Sequence, residues 1–120
     1  MQKKFKMLII DDERDLGDMM SILLKDTEVQ ISRALTLKDG KNLWEEEFPH
    51  IVLLDNHLPD GLGVEMVEAN NHLLANCKVI MVTADEKNRM KKRATDAGIG
   101  YFIQKPFNLK LIRELVKNMR

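Results

Sequence analysis

The sequence is poor in cysteine. Cys77 is the single cysteine among 120 residues, so the chain forms no internal disulfide and is compatible with a reducing cytoplasm. A nucleophilic cysteine would need a histidine beside it in space, and His72 is a neighbour in sequence only. We therefore expect a cytoplasmic protein in which Cys77 is a small packed side chain.

Long apolar runs and an excess of one charge are also lacking. No apolar stretch approaches the roughly 18 residues of a membrane span, and the run after the basic N-terminus is too short for a signal peptide. Lysine and arginine number 19, as do aspartate and glutamate, so the overall charge indicates neither nucleic acid nor an anionic membrane as a partner. The basic run 87–93 is expected to be a solvated helix face.

The sequence does contain a regular alternation of apolar runs and helical patterns. The predicted strands are 7–11, 28–33, 51–55, 78–83 and 101–104. The predicted helices are 14–25, 37–46, 63–75, 86–97 and 108–119, with Asn108 as the N-cap of the last and Gly98 after the end of the fourth. This order predicts an α/β fold with a doubly wound, five-stranded parallel sheet, as one domain over residues 1–120.

Two adjacent acids, Asp11 and Asp12, follow the first apolar run, and Asp55 ends the third. Adjacent like charges repel, and a hard cation with oxygen ligands compensates for that repulsion. The pair taken alone fits equally well as acids at a helix N-terminus, where the helix dipole favours them. Together with Asp55, the pair predicts an acidic pocket that binds Mg²⁺.

Ligands of doubly wound sheets bind outside the carboxyl ends of the strands, so polar residues at those ends are expected to share one crevice. Asp55 alone could be a strand-end cap, Thr83 a plain strand former, and Lys105 a solvated lysine. Their occurrence at successive strand ends favours a single site. The strand-end residues are Asp11, Asp12, Glu13, Asp55, Thr83, Ala84, Asp85, Lys105, Pro106 and Phe107.

Four motifs along the whole chain resemble the receiver domain of bacterial response regulators, the phosphoacceptor half of two-component signalling. These motifs are residues 8–13 (LIIDDE), 54–61 (LDNHLPDG), 82–84 (VTA) and 104–107 (QKPF). The resemblance implies the flavodoxin-like fold of chemotaxis-type receivers, with five helices and strand order 2-1-3-4-5.

The resemblance also implies the chemistry of the acids. Asp55 would be the nucleophile that accepts a phosphoryl group from a phosphohistidine and forms an acyl phosphate. The carboxylates of Asp12 and Asp55 and the backbone carbonyl of His57 would bind Mg²⁺, with Asp11 acting directly or through water. A zinc site at His57 is disfavoured, because no second histidine lies at ligand spacing.

The remaining strand-end residues receive roles from the same resemblance. Lys105 would pair with the phosphoryl oxygens, and Thr83 would hydrogen-bond them. Ala84 would leave access to the site, and the peptide bond before Pro106 would be cis. Phe102 would turn inward as Thr83 moves; a slip of one residue would give that role to its neighbour Tyr101.

A phosphorylation-dependent signalling switch follows from these roles. A sensor histidine kinase or phosphotransfer protein would phosphorylate Asp55. The surface of the fourth helix, fifth strand and fifth helix would then change and engage an output domain, a target protein or a second receiver. The chain would catalyse only its own phosphorylation and dephosphorylation.

Two other functions compete with this interpretation. A Mg²⁺-dependent phosphohydrolase with an aspartyl nucleophile would need a second acid two residues after the nucleophile, where this chain has His57. A receiver that signals without phosphorylation would not need the full acid, threonine and lysine set. The chain also departs from the receiver family: Asn56 stands after the phosphoacceptor, where the family usually has an apolar residue. His57 and Asp85 occupy positions that tune phosphoryl lifetime in related proteins.

Overall fold

A computed structural model of the protein describes residues 5–84 and 88–120. The strands are β1 (Phe5–Ile10), β2 (Val29–Ala34), β3 (Ile51–Asp55), β4 (His57–Leu58), β5 (Gly61–Leu62), β6 (Lys78–Thr83) and β7 (Tyr101–Gln104). The helices are α1 (Arg14–Leu23), α2 (Leu37–Glu47), α3 (Gly63–Ala69), α4 (Asn88–Asp96) and α5 (Leu109–Met119). Short 3₁₀ turns lie at Lys25–Thr27 and Asn71–Leu74.

The main sheet is parallel and has the order β2-β1-β3-β6-β7, which confirms the predicted doubly wound fold and its 2-1-3-4-5 order. Every residue of the central strand β3 is buried, as expected for a strand covered by helices on both faces. The small antiparallel hairpin of β4 and β5, which begins two residues after Asp55, was not predicted.

Two hydrophobic clusters cover the faces of the sheet. Alternate residues of β1 divide between them: Leu8 and Ile10 pack with residues of α2, α3 and α4, whereas Met7 and Ile9 pack with residues of α1 and α5. This alternation is what the period of a strand dictates. Both helical layers are therefore fixed to the sheet by apolar burial on their own sides.

Several boundaries differ from the prediction for local reasons. Residue 28 was predicted to begin β2, but Glu28 has a left-handed φ of 60°, so the strand begins one residue later. The predicted helix 63–75 ends at Ala69, because Asn70 leaves the helical conformation and its Nδ2 donates to the Met66 carbonyl at 2.9 Å. The predicted helix 14–25 gives way to a 3₁₀ turn at Lys25.

The two predicted helix signals are confirmed. The side chain of Asn108 accepts a hydrogen bond from the Lys110 N–H at 2.8 Å, so it caps α5. Gly98 lies just beyond α4 with φ of 102°, a conformation that glycine adopts without strain. The predicted start of this helix at residue 86 lies outside the described residues.

Cys77 lies half-buried just before β6. Burial raises the pKa of its thiol to about 12, so the thiolate is scarce at neutral pH. This agrees with a packing role. Among residues 5–84 and 88–120, no helix has the length and apolar character that a membrane crossing requires.

Candidate functional site

The carboxyl ends of β1 and β3 bring three acids together. Asp11 directly follows β1, Asp55 is the last residue of β3, and one carboxylate oxygen each from Asp11, Asp12 and Asp55 lies within 4.8 Å of the others. Asp11 and Asp55 are only 4% exposed, whereas Asp12 faces solvent. Oxygen ligands at this spacing suit a hard cation such as Mg²⁺.

Local hydrogen bonds orient the two buried carboxylates. The Oδ1 atom of Asp11 accepts from the Glu13 N–H at 2.8 Å, and the Oδ1 atom of Asp55 accepts from the His57 N–H at 3.1 Å. Burial raises the pKa of Asp11, and the negative charge of Asp55 adds to that rise, against the lowering effect of the Glu13 N–H and of Lys105. The surroundings of Asp11 thus favour its neutral form over its charged form.

Lys105 supplies the opposite charge. Its Nζ lies 3.2 Å from Asp55 Oδ2 and 4.0 Å from Asp11 Oδ2. Burial on its own lowers the pKa of Lys105, but the carboxylates of Asp55, Asp11 and Glu13 outweigh burial and raise it. Lys105 is therefore an ammonium in direct contact with the Asp55 carboxylate.

Thr83 and Pro106 flank this lysine. Thr83 ends β6 and is buried, and its carbonyl accepts from the Lys105 N–H at 2.9 Å, so β6 holds the residue that follows β7. The Lys105–Pro106 peptide bond is cis, as the resemblance implied. Ala84 is exposed beside Thr83, and Asp85 lies outside the described residues.

The aromatic pair of β7 divides between the faces of the sheet. Phe102 is half-buried on the α4 side, where Lys91 Nζ lies 6.0 Å from its ring centroid. Tyr101 packs on the opposite, α1 and α5 side. Only Phe102 of the two thus lies beside α4, while its role as a switch stays a prediction.

Two side chains near Asp55 accept hydrogen bonds from the starts of helices, which the sequence analysis did not predict. Asn56 is fully buried, and its Oδ1 accepts from the Val64 N–H at 3.0 Å. Asp60 accepts from the Leu37 N–H at 2.8 Å and the Lys38 N–H at 3.0 Å, and these N–H groups hold the pKa of Asp60 below its usual value. Asparagine and aspartate are common helix caps, but each of these two caps a helix that begins well away from it in the sequence.

Residues 7–117 match the response regulator receiver domain. The chain is 32% identical to the response regulator protein PilR of Pseudomonas aeruginosa over 111 residues, which are 92% of this chain and 25% of PilR. It is 26% identical to the phosphate regulon transcriptional regulatory protein PhoB of Escherichia coli over 117 residues, 96% of this chain and 50% of PhoB. The chain thus spans a quarter to a half of these relatives.

Solved structures agree with these sequence matches. A CheY-like receiver domain protein from Methanospirillum hungatei superposes with a TM-score of 0.86 at 28% identity, covering 98% of this chain and 94% of that one. The BeF3-activated DrrB receiver domain gives a TM-score of 0.84 at 26% identity, covering 98% and 97%.

Receiver domains of response regulators are typically signalling switches rather than classical enzymes, and they interact with histidine kinases and output domains. They bind Mg²⁺ at an acidic pocket, and this chain has a matching cluster in Asp11, Asp12 and Asp55. The match over residues 7–117 shows that the chain belongs to the response regulator receiver domain family.

Proposed function

We propose that this chain, as one receiver unit, is a phosphorylation-dependent switch in which Asp55 accepts a phosphoryl group from a histidine kinase or phosphotransfer protein. The observation that carries the proposal is the convergence of three carboxylates and the Lys105 ammonium on one crevice. A purely structural pocket has no need to gather three repelling acids. Cytoplasmic location stays a prediction.

The charges of the crevice match those of phosphoryl transfer. A carboxylate oxygen of Asp55 forms a bond to phosphorus, the bond from phosphorus to the donor's histidine nitrogen breaks, and that nitrogen takes up a proton. Mg²⁺, held by Asp11, Asp12, Asp55 and the His57 carbonyl, would supply neutralisation of the anionic charge.

Lys105 has a second task in this reaction. Its ammonium contacts Asp55 Oδ2 at 3.2 Å before the reaction, and it is placed to pair with phosphoryl oxygens once Asp55 carries them. Thr83 ends the neighbouring strand, and in this proposal its hydroxyl would donate to the same oxygens. In the phosphorylated product, Lys105 would therefore exchange its ion pair with Asp55 for contacts with the phosphoryl group.

The signal would leave the site through β6 and β7. The hydrogen bond between the Thr83 carbonyl and the Lys105 N–H links the crevice to the end of β7. Phe102 of β7 lies beside α4, with Lys91 Nζ 6.0 Å from its ring centroid. Movement of Thr83 toward a phosphoryl group would change the packing of Phe102 against α4. The affected surface, formed by α4, β7 and α5, would engage an output domain, a target protein or a second copy.

The competing phosphohydrolase activity has less support. The position two residues after Asp55 is occupied by His57, whose side chain is exposed, and a hydrolase of that type needs an acid there to protonate the leaving group. Multiple turnover of a phosphate ester without a stable adduct would favour the hydrolase.

Intact-protein mass spectrometry after incubation with Mg²⁺ and a small phosphodonor tests the proposal directly. We expect one phosphoryl adduct on the wild type and none on Asp55→Asn. Asp60→Asn is the matched control, because Asp60 lies in the same loop but bonds to the start of α2 instead of entering the crevice. An adduct that persists in Asp55→Asn would contradict the assignment of the phosphoacceptor.

A further inference from the structure

Asn56, the residue after the proposed phosphoacceptor, joins three parts of the structure. It is 0% exposed. Its N–H donates to the Val82 carbonyl of β6 at 3.0 Å, and its own carbonyl accepts from the Gly63 N–H at 2.9 Å. Its Oδ1 accepts from the Val64 N–H at 3.0 Å. One buried residue thus connects β6, the end of β3 and the first two residues of α3.

The start of α3 shows what the polar side chain of Asn56 does in this chain. The N-cap residue of α3 is Leu62, which has the extended backbone of a cap (φ −99°, ψ 133°) but no side-chain acceptor. Helices leave their first N–H groups without partners, and Ser, Thr, Asp or Asn usually supplies the missing acceptor at this position. Here Asn56 supplies it from eight residues away.

The first residue of α3 also lies against the backbone of Asp55. A Cβ atom at Gly63 would lie 2.9 Å from the Asp55 carbonyl oxygen and 2.9 Å from Leu54 Cγ, so only glycine allows this approach. The Asp55 carboxylate in turn accepts from the His57 N–H. Because Asn56 lies between Asp55 and His57, a shift of its backbone would displace both.

The buried amide of Asn56 also has a cost. Among the residues that the structure describes, its buried Nδ2 has no hydrogen-bond partner. A buried donor without a partner destabilises a fold, and an apolar side chain would avoid that. The need for the Oδ1 acceptor accounts for asparagine here.

We propose that Asn56 is a positioning residue for the phosphoryl-transfer site: by tying the start of α3 to the peptide between Asp55 and His57, it sets the geometry with which these two residues bind Mg²⁺. This inference rests on the proposed function. In this role Asn56 contacts neither the ion nor the phosphoryl group. It acts through Asp55 and His57, the residues on either side.

The test compares Mg²⁺ affinity, measured by isothermal titration calorimetry, with the melting temperature of the same variants. Asn56→Leu removes the acceptor and keeps the number and branching of the side-chain heavy atoms. Thr36→Val is the matched control, because the Thr36 Oγ1 accepts from the Asp39 N–H at 3.1 Å and caps α2. Both changes remove one helix cap, but only the first lies next to Asp55.

We expect Asn56→Leu to bind Mg²⁺ about tenfold more weakly, the lower end of the effect seen when groups that orient metal ligands are removed. Thr36→Val is expected to lower the melting temperature and leave Mg²⁺ affinity unchanged. If Asn56→Leu binds Mg²⁺ as tightly as Thr36→Val does, the inference is wrong. If Asn56→Leu does not fold, Asn56→Ser replaces it, because a serine side chain is smaller and too short to reach Val64. Its Mg²⁺ affinity is then compared with that of Thr36→Val in the same way.

A double variant separates positioning from capping. Leu62→Asn gives α3 a local cap without tying it to residue 56, so Asn56→Leu/Leu62→Asn should regain melting temperature and still bind Mg²⁺ weakly. Recovery of both properties would show that only the cap matters and would overturn the inference. A wild type that binds no Mg²⁺ and gives no phosphoryl adduct would instead contradict the proposed function itself, before any variant is compared.

Discussion

The two edges of the sheet differ sharply in what they bury. At the carboxyl edge, Asp11 and Asp55 are almost fully buried and depend on Lys105 and on backbone N–H groups for compensation. At the amino edge, a groove of about 460 Å³ lies between the end of α2 and the residues before β6, and most of its lining is apolar. The buried side chain of Trp44 and the side chain of Phe48, which is 80% exposed, both line this groove.

The comparison shows how one parallel sheet separates stability from chemistry. The five strands of the main sheet are parallel, so the residues that follow them lie at one edge and the residues that precede them lie at the other. Charge collected at the first edge opposes folding, and apolar packing near the second favours it. A substitution at one edge should therefore leave the property of the other edge intact.

The largest expected effect belongs to the amino edge. Trp44→Ala removes a large buried side chain and should lower the free energy of unfolding by about 3–5 kcal/mol. The stabilisation gained from Mg²⁺ should stay as in the wild type. Because Trp44 is the single tryptophan, denaturant unfolding should be followed by circular dichroism rather than fluorescence. Trp44→Phe is the milder control, and a lost Mg²⁺ response in either variant would show that the two edges are coupled.

An intermediate effect is expected at the carboxyl edge. At a Mg²⁺ concentration tenfold above its dissociation constant, binding to the folded state alone should add about 1.4 kcal/mol to the free energy of unfolding. Asp12→Asn should raise the metal-free melting temperature, because it removes one of three repelling charges, and should shrink the rise that Mg²⁺ produces. Glu46→Gln removes one exposed acid from the other edge of the sheet and serves as the charge-matched control. A melting temperature that millimolar Mg²⁺ leaves unchanged would contradict the assembled pocket.

Sequence patterns predicted the strands and the residues at their carboxyl ends well. The five strands were predicted to within two residues, because apolar runs ending in charged residues mark where a buried strand stops. The same ends located Asp11, Asp55 and Lys105, since residues after parallel strands must meet. The site was therefore predictable wherever its members follow strands directly.

What escaped prediction depends on contacts between distant residues. Asn56 caps α3 from eight residues away, and Asp60 bonds to the start of α2 across 23 residues. Asn70 ends α3 by a side-chain bond that competes with continuation of the helix. None of these follows from periodicity, because each residue type fits a turn equally well whether or not a helix end lies nearby.

The smallest expected effect concerns the pH dependence of the metal-free protein. Burial and the charge of Asp55 raise the pKa of Asp11 in the folded state above its unfolded value, so the folded protein binds the proton more readily. Between those two pKa values, the wild type should lose stability as pH rises, and the loss should be complete once pH exceeds the folded pKa.

Asp11→Asn isolates this contribution. Asparagine keeps an oxygen for the Glu13 N–H but never ionises, so with chelator present the variant should be more stable than the wild type at neutral pH. That advantage should shrink as pH falls through the folded pKa of Asp11, because the wild-type carboxyl is then neutral as well. Asp60→Asn is the opposing control: its carboxylate has a lowered pKa, so the stability that it provides is present above its unfolded pKa and is lost as pH falls through its folded pKa. If melting curves from pH 3 to pH 7 gave both variants the same sign of pH dependence relative to wild type, the buried charge at the carboxyl edge would not oppose folding, and the contrast between the two edges would fail.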